Sequence, residues 1–249
     1  MNPSAIVKPC QEKIYQQGNI YCCYNEENID NFDQNMLSSE FWTKRNAITG
    51  TAQGRGTTYF IKNSASHWVL RHYYRGGLIG KLINDSYFFT GFEKTRAAKE
   101  YNLLKTMVAL ELPAPKPIAY RIIKSGLTYQ ADLLSTRITN AEDLVAILSQ
   151  QIVNEALWRK IGKCIQAFHQ QGIYHHDLNA HNILIDDEEK VWLIDFDQGE
   201  QRACQQTWQQ ANLNRLLRSF NKENAKLPVF HWQADNWQFL LEGYLAAQS

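Results

Sequence analysis

The sequence predicts a soluble α/β or α+β protein, strand-rich in its first half and helical in its second. Three observations carry this. A strand, glycine-turn, strand pattern occupies residues 47–73, an apolar stripe at helical spacing runs from Gln150 to Gln171, and a short hairpin at 182–194 lies between predicted helices. With 249 residues, 44% of them apolar, the chain can bury a substantial core as one large domain or two small lobes. Its 26 Lys and Arg against 25 Asp and Glu, with 13 Gly and 6 Pro, exclude a disordered, collagen-like or wholly basic nucleic-acid-binding chain. No apolar run approaches the ~18 residues that cross a bilayer, and Met1–Lys13 lacks the apolar core of a signal peptide. Cys10, Cys22, Cys23, Cys164 and Cys204 show no C-x-x-C spacing and read as free thiols of a reducing compartment.

Residues 1–40 are polar and irregular except for a strand-like run at Asn19–Tyr24. From Ala47, Gly50, Gly54 and Gly56 punctuate a run into Thr57–Ile61. The polar turn Asn63–Ser66 then leads to His67–Tyr73. Both runs are rich in β-branched and aromatic residues, which predicts a hairpin. Lys94–Val108 contains no Gly or Pro and predicts a helix. Pro113, Pro115 and Pro117 end helical structure in favour of an extended segment, and Leu127–Leu134 is a further strand. Ser135–Asn140 is the join between two parts of the chain. In Gln150–Gln171, Val153, Leu157, Ile161, Cys164, Ile165 and Phe168 recur at steps of three and four, and Gly172 is placed to stop the helix in the left-handed conformation. Strands at Asn182–Ile185 and Val191–Ile194 and helices at Gln205–Phe220 and Asn236–Ala247 complete the chain.

Chemistry concentrates in Asp177, Asn182 and Asp195. Asp177 and Asn182 bracket a loop, and Asp195 ends the hairpin that follows, so the three side chains should converge at one edge. A loop acid can accept a proton from a hydroxyl, while an Asn and a second acid share a hard cation through oxygen. Phosphoryl transfer requires that division of labour. Charge is segregated too. Residues 40–125 hold 14 Lys and Arg against 5 Asp and Glu, the rest of the chain 12 against 20, a pattern suited to gripping an anion with metal-holding acids.

His176-Asp177-Leu178 followed by Asn182, and Asp195-Phe196-Asp197, resemble the H-R-D-L-x-x-x-x-N and D-F-G motifs of the protein-kinase-like fold. Gly54-Arg55-Gly56 resembles its glycine-rich loop, and Glu100 the acid of its regulatory helix. Trp68–Gly77, Tyr129–Leu133 and Tyr174–Leu184 are similar to the bacterial 3-deoxy-D-manno-octulosonic acid (Kdo) kinases of the lipopolysaccharide core kinase family, a resemblance covering roughly residues 45–225. It implies an α+β, protein-kinase-like two-lobed fold. Residues 1–40 would be an N-terminal extension, 41–135 a small β-rich N-lobe covering ATP, and 136–249 a short helical C-lobe.

The resemblance further implies transfer of the γ-phosphate of ATP to the 4-hydroxyl of a Kdo residue on the lipid A precursor, in lipopolysaccharide biosynthesis. Asp177 would be the base, and Asn182 and Asp195 the Mg²⁺ ligands. Gly54, Gly56, Arg71 and Glu100 would bind the nucleotide. The acceptor places such an enzyme peripherally on the cytoplasmic face of the inner membrane; no nucleic acid is implied, and no oligomeric state.

Arg71 stands where a protein kinase carries Lys, with Lys62 and Lys81 as the nearest alternatives, and Asp197 replaces the Gly of D-F-G, either as a third carboxylate near the metal or as a cap of the next turn. No A-P-E segment follows, and 52 residues after Asp197 leave no room for a peptide platform, which favours a small or lipid-linked acceptor. In the kinase-like loop the position of His176 is expected to brace the backbone, and that of His175 to have no fixed role. Rival readings are a kinase for a core heptose or an aminoglycoside-like acceptor, a non-catalytic pseudokinase, and a metal hydrolase using His175, His176 and His181. Arg75 with Gly76-Gly77 is either a plain turn or a site for an anionic sugar or lipid phosphate. Trp208 and Trp232 read as packing residues, or as indoles at a membrane boundary.

Overall fold

The computed structural model describes residues 12–53, 56–75 and 85–247. It divides into two compact units, Met1–Tyr101 with Pro117–Thr136, and Asn102–Lys116 with Arg137–Ser249. The α+β class is as expected, with strands dominating the first unit and helices the second.

The first unit holds β1 (Glu12–Gln17), β2 (Ile20–Asn25), a short α1 (Ser39–Thr43), β3 (Ile48–Gln53), β4 (Thr57–Asn63), β5 (Ser66–His72), β6 (Tyr87–Phe88) and the first part of α2 (Arg96–Ala109). It also holds β7 (Pro117–Ser125) and β8 (Thr128–Thr136). They form one antiparallel sheet in the order β1-β2-β7-β8-β5-β4-β3, with β6 paired to β8. The predicted hairpin is β4–β5, in register Thr58↔Arg71 to Asn63↔Ser66, and Ser64 at its turn has φ 54°.

The irregular reading of residues 1–40 gives way to a β1–β2 hairpin in this sheet. β2 pairs with β7 from Ile20↔Ile123 to Tyr24↔Ala119, a partner about a hundred residues away. Cys22, Leu37, Trp42, Ile61, Trp68, Leu70, Ile118 and Leu134 make the core, with the Trp42 indole edge-on to Trp68 at 5.7 Å. Asp132, buried on β8, is sandwiched across the strands between Arg121 and His72. Arg121 also donates to the carbonyls of Gln34 and Leu37, tying the 34–37 turn to the sheet.

The second unit holds β9 (Ala141–Asp143), α3 (Leu144–Gln150), α4 (Glu155–Gln170), β10 (Ile173–Tyr174), β11 (Ile183–Asp186), β12 (Val191–Leu193) and β13 (Glu200–Gln201). Two long helices, α5 (Gln206–Lys226) and α6 (Ala234–Ala246), follow. The helix expected over 150–171 begins only at Glu155, after a separate α3 that ends at Gln150. Gln151 leaves α3 in extended conformation, and the Asn154 side chain accepts from Leu157 N at 2.8 Å to start α4 afresh. Val153, at the head of the predicted stripe, is buried in the connection. The rest of the stripe holds, and Gly172 ends it at φ 70°. α4 and α6 approach backbone to backbone, for a Cβ on Gly162 would lie 1.9 Å from the Leu240 carbonyl oxygen.

Cys22, Cys23, Cys164 and Cys204 are free thiols, and Cys10 lies outside the described residues. Burial pushes the thiols of Cys22 and Cys164 up to about 12, which leaves them unreactive.

Candidate active site

In the first unit, β5 ends at His72 and presents Arg71, whose guanidinium bonds Oε1 of Glu100 on α2. The Tyr73 hydroxyl donates to the other oxygen, Oε2, at 2.6 Å. Glu100 is 3% exposed. A carboxylate so buried persists only when paired and hydrogen-bonded, so it is no ordinary surface acid. The same pair fixes the direction of Arg71, which stays charged at any working pH and offers a planar fork of donors to phosphate oxygens. At Gly56 a Cβ would sit 2.0 Å from the Tyr74 ring, so a side chain there would have to displace that ring. Gly54, Lys81, Gly76 and Gly77 lie outside the described residues, and Lys62 is exposed on β4. The Arg75 guanidinium lies 5.1 Å from the Tyr87 ring centroid.

In the second unit the predicted trio is joined through the backbone. Asn182 Nδ2 donates to the Asp177 carbonyl at 3.0 Å, and the Asn179 amide does the same. Ile194 N, just before Asp195, donates to the Asn182 carbonyl at 3.0 Å. The Ile194 carbonyl in turn accepts from His175 Nε2 at 2.9 Å, and His175 Nδ1 accepts from Asp177 N. The bracing histidine is therefore His175, buried, and not His176, as the sequence reading had it; His176 is partly exposed and edge-on to Tyr174. Two ring nitrogens pointing opposite ways let His175 hold both ends of the site at once, a property that neighbouring identical residues do not reveal in a sequence.

Asp195 stands at φ 62°, a left-handed conformation that Asp tolerates better than most residues. It is anchored by the wholly buried Phe196, which stacks on Phe168 at 5.6 Å and lies 4.7 Å from the His175 ring. With Nδ2 committed to Asp177, the Asn182 side chain has Oδ1 to offer a cation. An amide oxygen and a carboxylate are the hard oxygen donors that Mg²⁺ prefers, so the residues present fit that ion. Among the described residues, no three His, Cys, Asp or Glu side chains cluster as a metal site.

Sequence reasoning missed the role of α5. Asn212, Arg215, Ser219 and Glu223 recur at steps of three and four and so share one face. Asn212 exchanges both its amide groups with the backbone of His175. Arg215 Nη1 donates to Asp177 Oδ1 at 2.8 Å, Ser219 Oγ accepts from Ala180 N, and Glu223 lies 3.8 Å from His181 Nε2. A polar stripe on a helix, beside its apolar one, was the available signal, but solvated faces carry the same pattern. Trp208 and Trp232 are buried packing residues, Trp232 stacking on Phe220 at 4.3 Å.

Two buried neutral histidines flank the site. Burial lowers His175, and it lowers His169, whose Nδ1 meets the Tyr244 hydroxyl, to about 4. Below the ordinary histidine value near 6.5 the unfolded chain takes up a proton that folded His169 refuses. Stability should therefore fall as pH drops from about 6.5 toward 4. Urea midpoints across that range check this: His169→Gln should flatten the decline, and an unchanged slope would count against His169.

In comparison with known proteins, residues 39–244 match the family described as Lipopolysaccharide kinase (Kdo/WaaP) family. The 3-deoxy-D-manno-octulosonic acid kinase of Vibrio parahaemolyticus serotype O3:K6 is 47% identical over 228 residues, spanning 92% of this chain and 95% of its own. That of Vibrio cholerae serotype O1 is 50% identical over 196 residues, spanning 79% and 83%. The enzyme of the same name from Haemophilus influenzae (strain 86-028NP) is 43% identical over 238 residues, spanning 92% and 98%.

Proposed function

Because the chain belongs to the lipopolysaccharide kinase (Kdo/WaaP) family, and is thereby a phosphotransferase acting on a hydroxyl group, we propose that it transfers the γ-phosphate of ATP to the 4-hydroxyl of a Kdo residue on the lipid A precursor. The observation that carries this reading is the hydrogen-bonded loop in which His175 and Asn182 tie Asp177 to the backbone beside Asp195. Asp177 accepts the proton of the sugar hydroxyl as it attacks. Asn182 Oδ1 and the Asp195 carboxylate would hold Mg²⁺, which would supply neutralisation of the nucleotide's phosphate charge. Arg71, oriented by Glu100 and Tyr73, donates to phosphate oxygens, and backbone N–H groups near Gly54 and Gly56 take the remainder.

No helix among the described residues is long and apolar enough to cross a membrane. A lipid-linked acceptor then calls for a peripheral encounter with the cytoplasmic face of the inner membrane, which the basic stretch 40–125 favours.

The test is transfer of labelled γ-phosphate from Mg·ATP to a Kdo-bearing lipid A precursor, with the phosphate position read by NMR. Core heptose and an aminoglycoside serve as comparison acceptors. Label on the Kdo O4 alone is expected; label on a comparison acceptor with the Kdo lipid left unmodified would overturn the assignment.

A further inference from the structure

We propose that Arg215 is the residue that recognises the acceptor, by binding a carboxylate on the sugar next to the hydroxyl being phosphorylated. The proposal rests on the Kdo reading above and names what this site requires of its substrate.

Arg215 stands out from its neighbours on the same face of α5. Asn212 is buried and spends both ends of its amide on the His175 backbone. Ser219 accepts from Ala180 N and donates to the Leu216 carbonyl. Those two side chains fasten the loop and are fully used. Arg215 makes one contact, Nη1 to Asp177 Oδ1 at 2.8 Å, and has no other partner among the described residues. Its side chain is 42% exposed and that of Asp177 50%.

An ion pair this exposed adds little to stability, so fastening the loop is a poor account of an arginine here. A guanidinium carries five N–H donors in a rigid fork matched to a carboxylate. One of them is engaged end-on, and the rest of the fork is available beside the proposed base.

The acceptor hydroxyl must come within hydrogen-bond distance of Asp177. In a 2-ulosonic acid the carboxylate sits on C2, two ring carbons from the C4 hydroxyl. A sugar presenting O4 to Asp177 therefore brings a second negative charge close to the first. Two carboxylates side by side repel, and a guanidinium shared between them removes the penalty. Arg215 is already bonded to one of the pair and has donors for the other. The consequence is selection by charge: a neutral sugar leaves those donors unfilled, whereas a sugar acid fills them with charge-assisted hydrogen bonds.

The test is a cycle of wild type and Arg215→Ala, each assayed on the Kdo-bearing acceptor and on its carboxyl methyl ester. The wild type should lose on the order of 10- to 100-fold in kcat/KM on the ester. Arg215→Ala should lose a similar factor on the acid and little more on the ester, so that the two losses do not multiply. Arg215→Lys should recover part of the loss on the acid only. Equal losses for Arg215→Ala on both acceptors would restrict Arg215 to holding Asp177 and overturn the proposal. So would a wild type that uses ester and acid alike, a comparison that needs no variant to fold. A wild type inactive on both while phosphorylating another sugar would remove the Kdo reading itself, a different result from either.

Discussion

Asp177→Ala should lower turnover by roughly 10²–10⁴-fold while Mg·ATP still binds. The loss is this large because Asp177 alone is proposed to accept the proton of the attacking hydroxyl. Nucleotide binding should survive because Arg71, Glu100, Asn182 and Asp195 are untouched. The loop should survive as well, for its bracing runs through the Asp177 backbone, whose carbonyl takes the Asn182 and Asn179 amides and whose N–H donates to His175. The side chain loses only Arg215. Single-turnover transfer beside a nucleotide-binding titration separates the two effects. Wild-type turnover in the variant would end the assignment of Asp177 as base, and lost nucleotide binding would mean that the loop depends on the side chain after all.

Trp158→Ala is the largest expected effect on stability, about 3–5 kcal/mol. Trp158 on α4 is wholly buried, edge-on to Phe220 at 5.5 Å and to Trp232 at 5.3 Å. Phe220 belongs to α5, one residue beyond Ser219, so the cavity would open between α4 and α5. The loss belongs at the low end of that range, because the indole N–H has no partner among the described residues and a buried unpaired donor is itself a cost of about 1–3 kcal/mol. Trp158→Phe, which removes that donor and keeps an aromatic ring, should cost far less. Urea denaturation of the two variants decides it; equal losses would show that a phenyl ring fills this site no better than a methyl group.

Much of this protein was readable as pattern. The α4 stripe, the β4–β5 hairpin and the strands around Asn182 and Asp195 rest on periodicity and turn chemistry within a dozen residues, which a chain displays without being folded. Arg71 pairs with Glu100 because a buried acid on a helix needs a cation and the strand before it supplies one. The break at 151–154 was missed because Val153 continues the apolar stripe. The capping bond of Asn154 that overrides it is a single local contact, weaker as a signal than periodicity.

By itself the sequence determined a mixed α/β or α+β class, most of the elements and the spacing of Asp177, Asn182 and Asp195, all of them properties of near neighbours along the chain. Only the tertiary structure decided that β1 and β2 join the sheet through β7, that His175 rather than His176 braces the site, and that Arg215 reaches Asp177. The physical reason is common to all three. Each depends on which groups packing brings within hydrogen-bond distance across separations of 19 to about a hundred residues. At such distances local pattern carries no information about direction, and only the folded core sets which nitrogen or guanidinium points where.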